Sequence, residues 1–109
     1  MYLVQRPEND EGIAARKLGV TNLHSSRQRL GVWRRLGFEI VYLSRPCSGE
    51  KVIALESDLL KRWIRKELGI GVWLSPEEMP NGWTETFGPD VPPSQEIIKR
   101  IENVIPRNL

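Results

Sequence analysis

The sequence predicts an α+β fold, a small three-stranded antiparallel sheet flanked by helices and followed by a C-terminal helix. Three observations predict it. A short apolar stretch, Tyr2 to Gln5, and a returning strand, Arg16 to Thr21, are separated by the turn formers of Arg6-Pro7-Glu8-Asn9-Asp10-Glu11-Gly12, the pattern of a hairpin with a long acidic connection. Phe38-Glu39-Ile40-Val41-Tyr42-Leu43 is rich in β-branched and aromatic residues and reads as a third, mostly buried strand. Between Ser48 and Leu68, apolar residues recur at 52, 55, 59, 60, 63 and 64, the spacing of a helix with one face on a core.

The remaining elements follow from local signals. Asn22 or Ser25 is suited to cap a helix that runs to Leu36, where Gly37 supplies a stop. Gly69 and Gly71 end the 48–68 helix, and Pro, Gly and Asn between Ser75 and Gly82 mark irregular chain leading into Trp83-Thr84-Glu85-Thr86-Phe87, read as extended across the core. Pro89, Pro92 and Pro93 precede a last amphipathic helix with Ile97, Ile98, Ile101, Val104 and Ile105 on one side. The four tryptophans, at 33, 63, 73 and 83, share no flanking pattern and mark no repeat.

At 109 residues, with 39% hydrophobic and 28% charged residues, the chain has the size and composition of one soluble domain. Residues 1–88 form the expected main domain, and residues 89–109 a helical extension packed on it. No apolar run approaches the roughly 20 residues of a membrane helix, and Met1-Tyr2-Leu3-Val4 lacks the order of a signal peptide. A single cysteine, Cys47, and a single histidine, His24, exclude an internal disulfide and a four-ligand zinc cluster, and the reducing cytoplasm is the expected compartment. Cys47 reads as an ordinary small residue, and His24 as a solvated or capping one.

Charge is unevenly spread along the chain. From residue 16 to 66, 12 Lys/Arg face four acids, giving +8, while residues 67–109 carry −4 and residues 1–15 carry −2, so the total is +2. A basic block within a near-neutral domain is either solvated surface or the footprint of a polyanion-binding face.

Glu56 is the most informative single residue. At about 100° per residue it points along the middle of the stripe formed by Val52, Leu55, Leu59, Leu60 and Trp63. A carboxylate there is expected to be paired with a helix arginine, protonated or bound to a metal. On the preceding helix, Arg29 lies about 40° from the centre of the stripe of Leu30, Trp33 and Leu36, and Arg27 about 120° away. Arg29 suits either an ion pair or a phosphate, because a planar guanidinium fork fits both anions. Arg27, Arg34 and Arg35 read as solvated or as contacts to a nucleic-acid backbone. Gly19 inside a strand allows close approach of another group, and Tyr2 and Tyr42 read as core or rim aromatics.

Taken in order, these features resemble the GIY-YIG nuclease family. Tyr2 stands where the last Tyr of the first motif would be, and Lys17-Leu18-Gly19-Val20-Thr21-Asn22 resembles the second motif in relatives that carry Lys in place of its Tyr. Arg29-Leu30 resembles the helix arginine, Leu36-Gly37-Phe38 the entry to the third strand, Ala54-Leu55-Glu56 the metal-binding glutamate, and Gly82 to Gly88 the segment after it. The resemblance implies an endonuclease that hydrolyses DNA phosphodiesters with Mg²⁺ or Mn²⁺. In that reading Glu56 holds the metal, Arg29 clamps the phosphate, Tyr2 orients or deprotonates water, and Lys17 assists electrostatically. Thr21, Asn22, Arg27, Arg34 and Arg35 would contact nucleic acid, with Thr84 and Glu85 as additional site candidates. RNA remains an alternative substrate, and a homo-oligomer or a larger nuclease assembly an alternative to action alone. The competing reading is a non-catalytic nucleic-acid-binding or partner-binding domain in which Glu56 and Arg29 form a structural ion pair.

Overall fold

A computed structural model describes residues 1–8, 12–20 and 26–107, the side chains of residues 26–30 excepted. The expected capping residues Asn22 and Ser25, the loop residue His24, and Thr21 lie outside the described residues.

Strands β1 (Tyr2–Arg6) and β2 (Ala15–Gly19) pair antiparallel in the register Tyr2↔Gly19 and Val4↔Lys17, as the hairpin pattern predicts. Helix α1 spans Ser26–Arg35, and Gly37, at φ 87°, turns the chain into β3 (Glu39–Leu43). The sheet has a fourth strand, β4, formed by Thr86–Phe87 against Lys17 and Arg16 of β2, so the strand order is β3-β1-β2-β4. The expected count of three strands is therefore corrected to four, because a two-residue strand has no periodicity to read.

Strand β3 is not mostly buried. Tyr42 is covered, whereas Glu39 and Leu43 are exposed and Ile40 and Val41 are half-buried. An edge strand has a neighbour on one side only, so β-branched composition here reports strand propensity and not burial. Its register with β1 shifts between Leu3↔Tyr42 and Val4↔Ile40, leaving Val41 as the extra residue of a bulge.

Alternation along β1 and β2 divides the core between two faces. Leu3 and Leu18 join a cluster with Val52, Leu55, Leu59, Leu60, Trp63 and Ile64. Tyr2, Val4 and Ala15 join Trp33, Phe38, Leu74 and Met79 on the other. The sheet is thus a middle layer. Helix α2 (Gly49–Glu56), whose first turn is capped by the Ser48 hydroxyl accepting from the Lys51 amide at 3.3 Å, lies over the first face, and α1 lies over the second.

The continuous helix expected from Ser48 to Leu68 changes its winding at residue 57. Ser57–Glu67 forms a π-helix, ending with the Leu68 amide donating to the Trp63 carbonyl at 2.8 Å, five residues back. Trp83–Glu85, expected to be extended, forms one turn of 3₁₀ helix before β4. Helix α3 (Ser94–Val104) buries Ile97 and Ile101, which with Ile105 join the cluster of Leu3 and Leu18, so the C-terminal segment belongs to the same core. No helix among the described residues is long and apolar enough to cross a membrane.

Candidate functional site

Tyr2 and Lys17 come from neighbouring strands and face the same side of the sheet, because Tyr2 is paired with Gly19 and Val4 with Lys17. Gly19 is required by this arrangement, since a Cβ there would collide with the ring carbon Cζ and the hydroxyl of Tyr2. The Tyr2 hydroxyl accepts from the Trp33 indole nitrogen at 2.9 Å and from Lys17 Nζ at 3.2 Å. Lys17 Nζ also donates to Glu85 Oε2 at 2.5 Å and lies 4.9 Å from the Trp33 ring centre. Tyr2 is 1% and Lys17 2% exposed, so this ammonium is removed from bulk water and balanced by Glu85 and by two aromatic rings.

Glu85 is held in place from the sheet and from the π-helix. The Thr86 hydroxyl donates to the Trp83 carbonyl at 2.7 Å and accepts from the Leu74 amide at 3.0 Å. The Arg65 guanidinium donates to four carbonyls, those of Ile70 at 3.1 Å, Gly71 at 2.6 Å, Thr84 at 2.9 Å and Thr86 at 2.6 Å. One fork thereby caps the end of the π-helix and fastens the segment that carries Glu85. Gly82, at φ 85°, passes so near Lys17 that a Cβ would stand 2.5 Å from its Cε. Lys17, Val32, Trp33, Asn81, Gly82 and Glu85 line an open depression of about 370 Å³.

Glu56 stands at the junction of α2 and the π-helix and is half-buried, not central to the apolar stripe. The apolar positions of the stripe are buried as the 100° construction expects, but a carboxylate costs free energy to desolvate and keeps part of its surface exposed. Burial, and after it the negative charge of Glu85, holds the Glu56 carboxyl above the usual carboxylate range, with Lys17, Lys61 and the amino group of Met1 acting in the opposite direction. Glu56 has no ion pair among the described residues, and the side chain of its expected partner Arg29 lies outside them.

Of the residues singled out in the sequence, Tyr2, Lys17 and Glu85 are in direct contact, whereas Glu56 touches none of them and is reached only by the charges of Glu85 and Lys17. Thr84 is exposed and contributes its carbonyl to Arg65. Arg34 and Arg35 are exposed at the end of α1. Arg27 and Arg29 lie on α1 with side chains outside the described residues, as do Thr21 and Asn22 altogether. The indole donor of Trp33 and the fork of Arg65 were not anticipated. Arg65 was legible as a cation in the last turn before a Gly-rich stop, the usual setting for binding terminal carbonyls.

The carboxylates available to a hard divalent cation here are Glu56 and Glu85, of which Glu85 is engaged by Lys17. Such ions bind through one or two carboxylates supplemented by water and substrate phosphate. Among the described residues, no group of three or more His, Cys, Asp and Glu gathers, so a protein cage is not what this site offers. No family model matches the chain, and neither a curated protein nor a solved structure matches it.

Proposed function

We propose that the chain is a divalent-metal-dependent endonuclease that hydrolyses DNA phosphodiester bonds. The observation that carries the reading is Glu56, a half-buried carboxyl with no ion pair among the described residues, whose proton affinity is raised by burial and then by the charge of Glu85. Glu56 would hold Mg²⁺ or Mn²⁺, with Glu85 as the second carboxylate nearby. When bound, the ion would supply stabilisation of charge on the phosphate and on the leaving oxygen.

The chain's own residues take the other roles. Lys17 contributes fixed positive charge at the depression shared with Glu85. Tyr2, whose hydroxyl is enclosed by Trp33 and Lys17, enters the reading by fixing the position of the Lys17 ammonium and not by meeting bulk water. Arg29, on α1, is assigned the phosphate clamp by the order of motifs.

A second reading is favoured by the burial of Tyr2 and Lys17 at 1% and 2%: a non-catalytic nucleic-acid-binding domain in which Lys17 and Glu85 are a structural ion pair. Incubation of supercoiled plasmid with Mg²⁺ or Mn²⁺, beside EDTA and the Glu56→Gln protein, separates the two. Nicking that needs both the metal and Glu56 supports the nuclease. Salt-sensitive binding without any cut supports the binding domain.

A further inference from the structure

We propose that the solvent face of the π-helix binds the sugar-phosphate backbone of DNA through Lys61 and Lys66. This deepens the proposed function and rests on its reading that the substrate is a nucleic acid, but it places the strand on a different element from the arginines of α1.

The groove is a shallow, open depression of about 520 Å³ formed by Ala54, Ser57, Asp58, Lys61, Arg62 and Lys66. Its polar positions recur four and five residues apart, which the i→i+5 winding of Ser57–Glu67 brings onto one face, while Leu59, Leu60, Trp63 and Ile64 face the core. Charge within the groove is not balanced. Asp58 is engaged by Arg62 at 2.7 Å, and Arg62 also reaches Glu67 at 3.5 Å, so that pair of acids is already answered. Lys61 and Lys66 are exposed and make no ion pair among the described residues. Ala54 and Ser57 are small, which lets a backbone come close, and the Ser57 hydroxyl is a donor of the kind that contacts phosphate oxygens.

The groove also adjoins Glu56, which lies in the chain between its lining residues Ala54 and Ser57. A strand lying in the groove would therefore pass Glu56. By contrast, α1 covers the opposite face of the sheet through Trp33, so Arg34 and Arg35 stand away from this path.

The test is the binding of a fluorescein-labelled DNA duplex to the full chain, followed by anisotropy in EDTA across a salt series. Each lost phosphate contact lowers the slope of log K against log salt by about 0.9. The Lys61→Gln, Lys66→Gln double variant should lose about two units of slope, the Lys61→Arg, Lys66→Arg variant should keep it, and Arg34→Gln, Arg35→Gln should leave it unchanged. The same slope in the Lys61→Gln, Lys66→Gln protein and the wild type overturns the proposal, as does an equal loss from the α1 variant, or a wild type that does not bind DNA. Plasmid cleavage distinguishes this failure from failure of the nuclease reading. Cutting with an unchanged slope removes the groove alone, and a lost slope without cutting keeps the groove and removes the nuclease.

Discussion

The Lys17 ammonium stands 2.5 Å from Glu85 Oε2, with the lysine 2% and the glutamate 33% exposed. The two partners are thus unequally dependent on each other. Glu85 retains contact with water, whereas Lys17 relies on Glu85, the Tyr2 hydroxyl and the backbone carbonyl of Leu18.

Removing Glu85 should therefore cost more than removing Lys17. Glu85→Ala strands a buried ammonium and is expected to destabilise the fold by about 3–5 kcal/mol, while Lys17→Met, which leaves a half-wet carboxylate beside an apolar side chain, should cost roughly 1–2 kcal/mol. Urea unfolding of the two variants checks the order, and equal losses would refute the asymmetry.

Gly19→Ala is expected to destabilise the protein by about 1–3 kcal/mol, because the added methyl meets the Tyr2 ring, which Trp33 and Lys17 hold in place. The cost should shrink in a Tyr2→Leu background. A double-mutant cycle from thermal or urea unfolding reads the coupling, and strict additivity would show that the two residues do not interact.

Arg65→Met removes a guanidinium shared by four carbonyls and should cost on the order of 3 kcal/mol, since hydrogen bonds to a charged group contribute about 1.5–3 kcal/mol each and are not additive. Amide hydrogen exchange should accelerate across residues 83–87, which the fork anchors. Arg65→Lys should fail to restore protection, because one ammonium lacks the fork that spans the π-helix end and the β4 segment.

The Glu56 carboxyl sets a pH dependence of definite sign. Its folded pKa is raised, by burial first and by Glu85 second, so the stability tied to its protonated form is complete below the ordinary carboxyl range and is lost as pH rises through the folded value. Glu56→Gln should therefore be more stable than the wild type at neutral pH, and the difference should vanish in acid. Under the proposed function, Mg²⁺ should raise the melting temperature of the wild type at neutral pH and leave Glu56→Gln unmoved. Calorimetry with and without the ion measures both effects.

The sequence by itself determined the elements whose signals are local. The turn formers from Pro7 to Gly12 and the alternating strands beside them define the hairpin, Gly37 marks the end of α1, and the apolar spacing of Ile97, Ile98, Ile101 and Ile105 defines α3. Local signals also singled out Glu56, though in the middle of an apolar stripe and not at its edge, and Gly19 as a point of close approach. Only the tertiary structure decided the rest. Strand β4 exists because Lys17 and Arg16 of β2 offer it hydrogen bonds, and its two residues carry no pattern of their own. Lys17 became the centre of a buried network because Tyr2, Trp33 and Glu85 converge on it from β1, α1 and the turn before β4, positions distant in sequence. The position of Glu56 at the margin of the core depends on what packs over that end of α2, which the periodicity of the side chains does not reveal. Periodicity reports which side of an element is apolar. Which charges meet there depends on how the elements are brought together.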